Sequence, residues 1–143
     1  MTPPHEGLMH PDDNESEKAS NSYLMSLIAV MAGLPFPIVN LLATAFFSIA
    51  NRKGTYFVRW HCTQALLSQA VALLMNVPGI WWTIAVVLGK VEVSNAYIAY
   101  IVTIVFFNLL EFGATVYAAT RTRRGKHVEW WLFGPLAQIL VKP

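Results

Sequence analysis

The side chains able to do chemistry in this 143-residue chain are few, and they interrupt sequence that is otherwise apolar. His61, Gln64 and Ser68 recur at i, i+3 and i+7, and Asn108, Glu111 and Thr115 repeat the spacing. Each trio therefore lies on one helical face. His61 two turns from Ser68 pairs a base with a hydroxyl, but acyl transfer also needs an orienting partner and an oxyanion site, and neither is legible. The chain has no H-E-x-x-H, no cysteine–histidine cluster, no paired intramembrane carboxylates and no glycine-rich phosphate loop. Its single cysteine, Cys62, excludes an intrachain disulfide and reads as a small residue in a helix interface. The expectation is a non-enzyme with no cofactor and no metal. If the two polar faces meet, Glu111 is protonated or hydrogen-bonded to an amide or imidazole. Such a seam glues two helices at roughly 0.5–1.5 kcal/mol per contact. A carboxyl in mid-bilayer costs about 2.5–3.5 kcal/mol on an insertion scale, so proton or substrate handling at Glu111 is the competing use. Snorkelling to the interface near Arg121 is a third.

The elements that must position these residues read as membrane helices. Charged residues make up 13% of the chain, about half the share of an ordinary soluble domain, and 55% is hydrophobic. Residues 23–50 and 62–89 carry no Asp, Glu, Lys or Arg, and residues 93–120 carry only Glu111. About 20 helical residues cross a hydrocarbon core, so each run is long enough to span. Pro35 and Pro37 split the first run, because two prolines one residue apart remove two backbone donors. Two arrangements follow: one kinked span over 22–51, or a hairpin of short helices over 22–34 and 38–51. A second helix opens at Tyr56, with aromatics and Arg59 at headgroup level, and is expected to break or kink at residues 76–79. A third runs over about 96–120. The predicted class is an all-α integral membrane protein with four hydrophobic helical segments: two short ones split at Pro35 and Pro37, then two long antiparallel helices.

Residues 1–21 are acidic and proline-containing, with no basic region before the apolar run and no A-x-A-like cleavage site. They are expected to be a disordered tail and not a signal peptide. Residues 22–120 form the transmembrane domain. Residues 121–143 form a basic and aromatic cytoplasmic interfacial segment, in which Trp130 and Trp131 lie on the membrane surface. Arg52, Lys53 and Arg59 flank one end of the long helices, Arg121, Arg123, Arg124 and Lys126 flank the same end, and the far turn has only Lys90. The positive-inside rule puts both basic segments in the cytoplasm. The net charge of +2 is too small to point to nucleic acid. Arg59 beside Trp60, and the Arg121–Lys126 cluster beside Trp130 and Trp131, are topology anchors with the alternative of contacting anionic lipid or a partner carboxylate.

Phe57-Val58-Arg59-x-His61-x-x-Gln64-Ala65-Leu66 opens a helix and follows an apolar segment holding Pro35-Phe36-Pro37-x-x-Asn40. Arg124-Gly125-Lys126, aromatics, Pro135-Leu136 and Gln138 come later. In order and spacing this resembles the small four-helix subunit of the chloroplast inner-envelope protein-import channel and its bacterial relatives, over about residues 22–140. The resemblance implies four hydrophobic helices, the first two short, with both termini on one side, which favours the hairpin. It implies no catalytic residue. The plastid members form part of a preprotein-conducting channel. Compactness, the lack of a transit peptide and Glu111 depart from the plastid pattern, and the first two favour a bacterial protein. The expected role is a subunit or scaffold of a larger assembly in the inner cell membrane, in contact with lipids and with other subunits or itself. The alternative is a stand-alone homo-oligomeric transporter or channel.

Overall fold

The structure, a computed structural model, describes residues 10–27, 37–130 and 133–142. Within them the chain forms helices α1 (Asp13–Met25), α2 (Pro37–Ala50), α3 (Tyr56–Val87), α4 (Asn95–Arg123) and α5 (Phe133–Leu140), with no strand. At 1.5 Å per residue α3 is about 48 Å long and α4 about 44 Å, both beyond the roughly 30 Å of a hydrocarbon core. They are antiparallel: Thr83 meets Tyr97, Asn76 meets Asn108 and Ser68 meets Glu111.

Local signals explain where these helices begin and end. Thr55 and Ser94 are N-caps whose hydroxyls accept from Val58 N–H and Tyr97 N–H. Both helices stop in a Schellman motif. After α3, Gly89 N–H bonds the Val86 carbonyl and Lys90 N–H bonds that of Ala85. After α4, Gly125 N–H bonds Thr122 and Lys126 N–H bonds Arg121. Gly89 and Gly125 take φ of +68° and +74°, the left-handed turn that a Cβ disfavours.

The break expected at residues 76–79 is not a break, because α3 continues through Pro78 to Val87. Proline removes the N–H for the Leu74 carbonyl and crowds the turn before it. The partner helix packs closely on this turn: Tyr100 Oη donates to the neighbouring Met75 carbonyl at 2.9 Å, and the bare Cα of Gly79 admits Ile104 and Tyr100.

The tail is also corrected. From Asp13 it is helical, begun by a capping box in which Asp12 Oδ1 accepts from Glu15 N–H and Glu15 Oε2 accepts from Asp12 N–H. Ser16, Ala19, Ser20 and Tyr23 form the buried face of α1. They pack on Thr115, Ala118, Ala119 and Thr122 of α4, a second small-residue face at the same spacing. Small side chains let the backbones approach, and Ser20 Oγ donates to the Ala119 carbonyl at 2.9 Å.

α1 therefore runs antiparallel to the end of α4, with Glu17 near Arg123 and Leu27 beside the groove that Phe112 lines. α2 returns along α3, from Asn40 in the groove lined by Gln69 to Ser48 in the cleft lined by Arg59. Residues 23 and 50, the two ends of the proline-split run, thus lie at the same end of the long hairpin, while most of the expected 22–34 helix lies outside the described residues. Pro37 is the first residue of α2, where a missing N–H costs nothing. Pro35 lies outside the described residues, as does the rest of the joint.

The aromatics that open α3 face the protein itself rather than a lipid surface. Tyr56, Phe57 and Trp60 are buried inside the protein, Tyr56 and Trp60 against Ala137 and Val141. The chain after α4 folds back to cover them, so Trp130, Phe133 and Ala137 turn inward while Leu136, Ile139 and Leu140 stay exposed. Trp131 lies outside the described residues.

Candidate functional site: a polar seam and a buried histidine pair

The polar residues of α3 and α4 form three separate networks along the hairpin, not one continuous stripe. Toward the end away from the basic residues, short of the Thr83–Tyr97 hydroxyl contact, Asn76 and Asn108 exchange amide hydrogen bonds of 3.1 and 2.8 Å. Each NH₂ gives its second hydrogen to the carbonyl four residues earlier, Ala72 and Ile104. Both NH₂ groups are satisfied inside apolar surroundings.

In the middle, Glu111 Oε1 accepts from Ser68 Oγ at 3.0 Å, Gln69 Nε2 at 2.7 Å and Thr115 Oγ1 at 3.0 Å. The amide that reaches Glu111 is Gln69; Gln64, the amide of the expected trio, bonds Tyr23 and Val128 instead. A groove of about 450 Å³ opens here, lined by Asn40, Gln69, Asn76, Asn108, Glu111 and apolar neighbours.

At the basic end the third network joins α1, α3 and the chain after α4. Trp130 N–H donates to Gln64 Oε1 at 2.9 Å, which fixes the orientation of the amide. Gln64 Nε2 donates to the Val128 carbonyl and to Tyr23 Oη at 2.7 Å. Tyr23 Oη, already accepting, donates its own hydrogen to His61 Nδ1 at 2.6 Å. Neutral His61 then carries its hydrogen on Nε2 and donates it to His127 Nδ1 at 3.3 Å. The hydrogen bonds run one way, from Gln64 through Tyr23 and His61 to His127.

Aromatic rings close this network off. Trp60 stands edge-on to His61 and to His127, at 5.0 and 4.4 Å between centroids, and Trp130 stacks on Tyr23 at 6.0 Å. His61 is fully buried and His127 is partly exposed. Partial burial of the His127 ring holds its pKa below the usual imidazole range.

The basic residues spread out. Arg59 Nη2 donates to the Lys142 carbonyl at 3.0 Å. Arg121 lies over the Tyr117 ring, with 5.9 Å from its Cζ to the centroid. Arg123 meets Glu17 at 3.9 Å with both side chains exposed, a geometry that contributes little. Arg124 is the C-cap of α4, and Lys126 is exposed. Among the described residues no group of three or more metal-type side chains converges.

Sequence reasoning missed Gln69, Asn76, Tyr23 and His127. The first two carried a signal, because Gln69 is eight residues beyond His61 and Asn76 a further seven, which keeps both on the face of the trio. Tyr23 and His127 reach the site from separate segments, where no periodicity points to them. Comparison of the chain with family models, with curated proteins and with solved structures finds no match.

Proposed function

We propose that this chain is a multi-pass protein of the inner cell membrane that acts without catalysis, as a subunit or scaffold of a larger membrane assembly. The role matches that of the import-channel subunit it resembles. The observation that carries this reading is the inversion of polarity in α3 and α4. In their most apolar stretches only 11% and 6% of residues are buried by the protein itself, so they are not the core helices of a soluble domain. Leu74, Trp81, Val87, Val102, Phe106 and Leu109 face outward at 61–78% exposure, while carboxyl, amide and hydroxyl groups bond each other inside. Only lipid or a partner helix covers such a surface.

The basic ends of α3 and α4 mark the cytoplasmic side, and α1 and the segment after α4 gather there. Glu111, the Asn76–Asn108 pair and the Tyr23–His61 chain hold the helices in register. The outward apolar faces of α2 and α4 are where other subunits dock. A second reading, a homo-oligomeric transporter or channel, draws on the polar-lined groove beside Glu111. Crosslinking in native membranes followed by copurification and mass spectrometry separates the two. A reproducible heteromeric partner is the expected result. A pure homo-oligomer that conducts ions in liposomes contradicts the subunit reading.

A further inference from the structure

A cleft of about 210 Å³ lies at the basic end, between Ser48 and Arg52 at the end of α2, Arg59 and Thr63 in the first turns of α3, and Leu140 and Val141 at the end of α5. Two guanidinium-bearing residues from different elements line it. Neither makes an ion pair among the described residues, and no Asp or Glu occurs between Glu17 and Glu92, so α2, α3 and their loop supply no counter-charge. No carboxylate among the residues lining the cleft offsets the two guanidinium charges. The bond from Arg59 Nη2 to the Lys142 carbonyl at 3.0 Å tethers one guanidinium to the chain after α5 and leaves its other donors available. Thr63 Oγ1 donates to the Arg59 carbonyl at 2.9 Å, so its hydrogen is spent within the helix. Ser48 supplies a hydroxyl.

Planar guanidinium forks match the oxygens of a phosphate group. The surroundings say what carries that phosphate. Leu140, which lines the cleft, is 61% exposed, and Phe46 and Ile49 on α2 and Ile139 on α5 are exposed on the same two helices. A charged slot with an apolar rim fits a headgroup with acyl chains. Trp60 and His61, the neighbours of Arg59 in sequence, are buried and take no part.

We propose that this cleft binds the phosphate of an anionic phospholipid between Arg52 and Arg59, with Ser48 as a further donor and the acyl chains lying on Phe46, Ile49 and Leu140. The site rests on the membrane reading for its location, while its chemistry, two cations on one phosphate, does not.

The test uses the full chain reconstituted in nanodiscs and released for native mass spectrometry, with phosphatidylglycerol and phosphatidylcholine supplied at equal amounts. Incorporation of the unaltered protein into nanodiscs checks the membrane reading separately. Retention of phosphatidylglycerol at least tenfold over phosphatidylcholine is expected, with loss of that preference in Arg52→Gln and in Arg52→Gln/Arg59→Gln. Lys18→Gln, an exposed cation on α1 at the same end, keeps it. Arg52 is exposed, so its replacement leaves the fold intact even if loss of Arg59 loosens the chain after α5. Inorganic phosphate added at millimolar concentration separates the sources. Failure to displace the lipid supports the headgroup with its chains, whereas full displacement assigns the cleft to free phosphate and overturns the lipid. Equal retention of both lipids, or a preference unchanged in Arg52→Gln, overturns the site.

Discussion

Tyr23 donates its phenolic hydrogen to Nδ1 of His61 across 2.6 Å, joining a helix that reads as a polar tail to the start of a long apolar helix. Through that bond His61 is fixed with its hydrogen on Nε2, facing His127. The arrangement works while both imidazoles are neutral. A proton on His127 Nδ1 would set two N–H groups against each other.

This gives a pH dependence with a definite sign. The folded pKa of His127 lies below its unfolded value of about 6.5. The unfolded chain therefore binds the proton more readily, and the stability the neutral ring contributes is complete above about pH 6.5 and declines as the pH falls below it. Thermal melts between pH 5 and 8 should show the midpoint falling on the acid side, and His127→Gln should flatten that slope. An identical slope in the variant would refute the assignment.

Glu111 is expected to tolerate an isostere but not an apolar replacement. Glu111→Gln retains an acceptor for Ser68, Gln69 and Thr115, whereas Glu111→Leu strands buried donors at about 1–3 kcal/mol in all. Melting in detergent, with chemical crosslinking of the assembly, reads the difference. Unchanged assembly and stability in Glu111→Leu would end the case for the seam as glue.

The reciprocal Asn76–Asn108 pair predicts strong non-additivity. Replacing one partner by Leu leaves the other amide unpaired at a cost of about 1–3 kcal/mol, and replacing both should recover most of it. A double-mutant cycle that came out additive would show that the amides act independently.

The fit of α1 on α4 depends on small side chains, so Ala119→Leu should push the helices apart at roughly 1–3 kcal/mol. Hydrogen exchange over residues 13–25 is the direct readout, with protection lost in this variant and kept in Ala119→Ser. Protection unaffected by the leucine would mean that α1 is held elsewhere.

Which parts of this were legible in the sequence follows from the physics of each. The two long helices were, because charge-free runs of that length have few alternatives, and their polar residues recur at helical spacing. The Glu111 seam was legible in outline, although its amide partner is Gln69. The part of α1 before residue 22 was not predicted: its buried residues are serine and alanine, which carry no hydrophobic signal, although the Asp12-x-x-Glu15 box did mark its start. That α3 stays helical past Pro78 was not legible, because a local rule cannot see Tyr100 and Ile104 packing there from the next helix. Trp60 was placed at a membrane interface by its neighbourhood of aromatics and Arg59. The chain that buries it lies about eighty residues on, at Ala137 and Val141.

The central claim is that α3 and α4 cross a bilayer with α1 and the basic ends together on the cytoplasmic face. Cysteine accessibility in intact cells tests it, on a Cys62→Ala background, with single cysteines at His10, Val91 or Lys126 and a membrane-impermeant maleimide. Labelling of Val91→Cys from outside, and of His10→Cys and Lys126→Cys only after permeabilisation, is the expected result. Labelling of His10→Cys from outside, or equal labelling of all three before permeabilisation, would contradict the account.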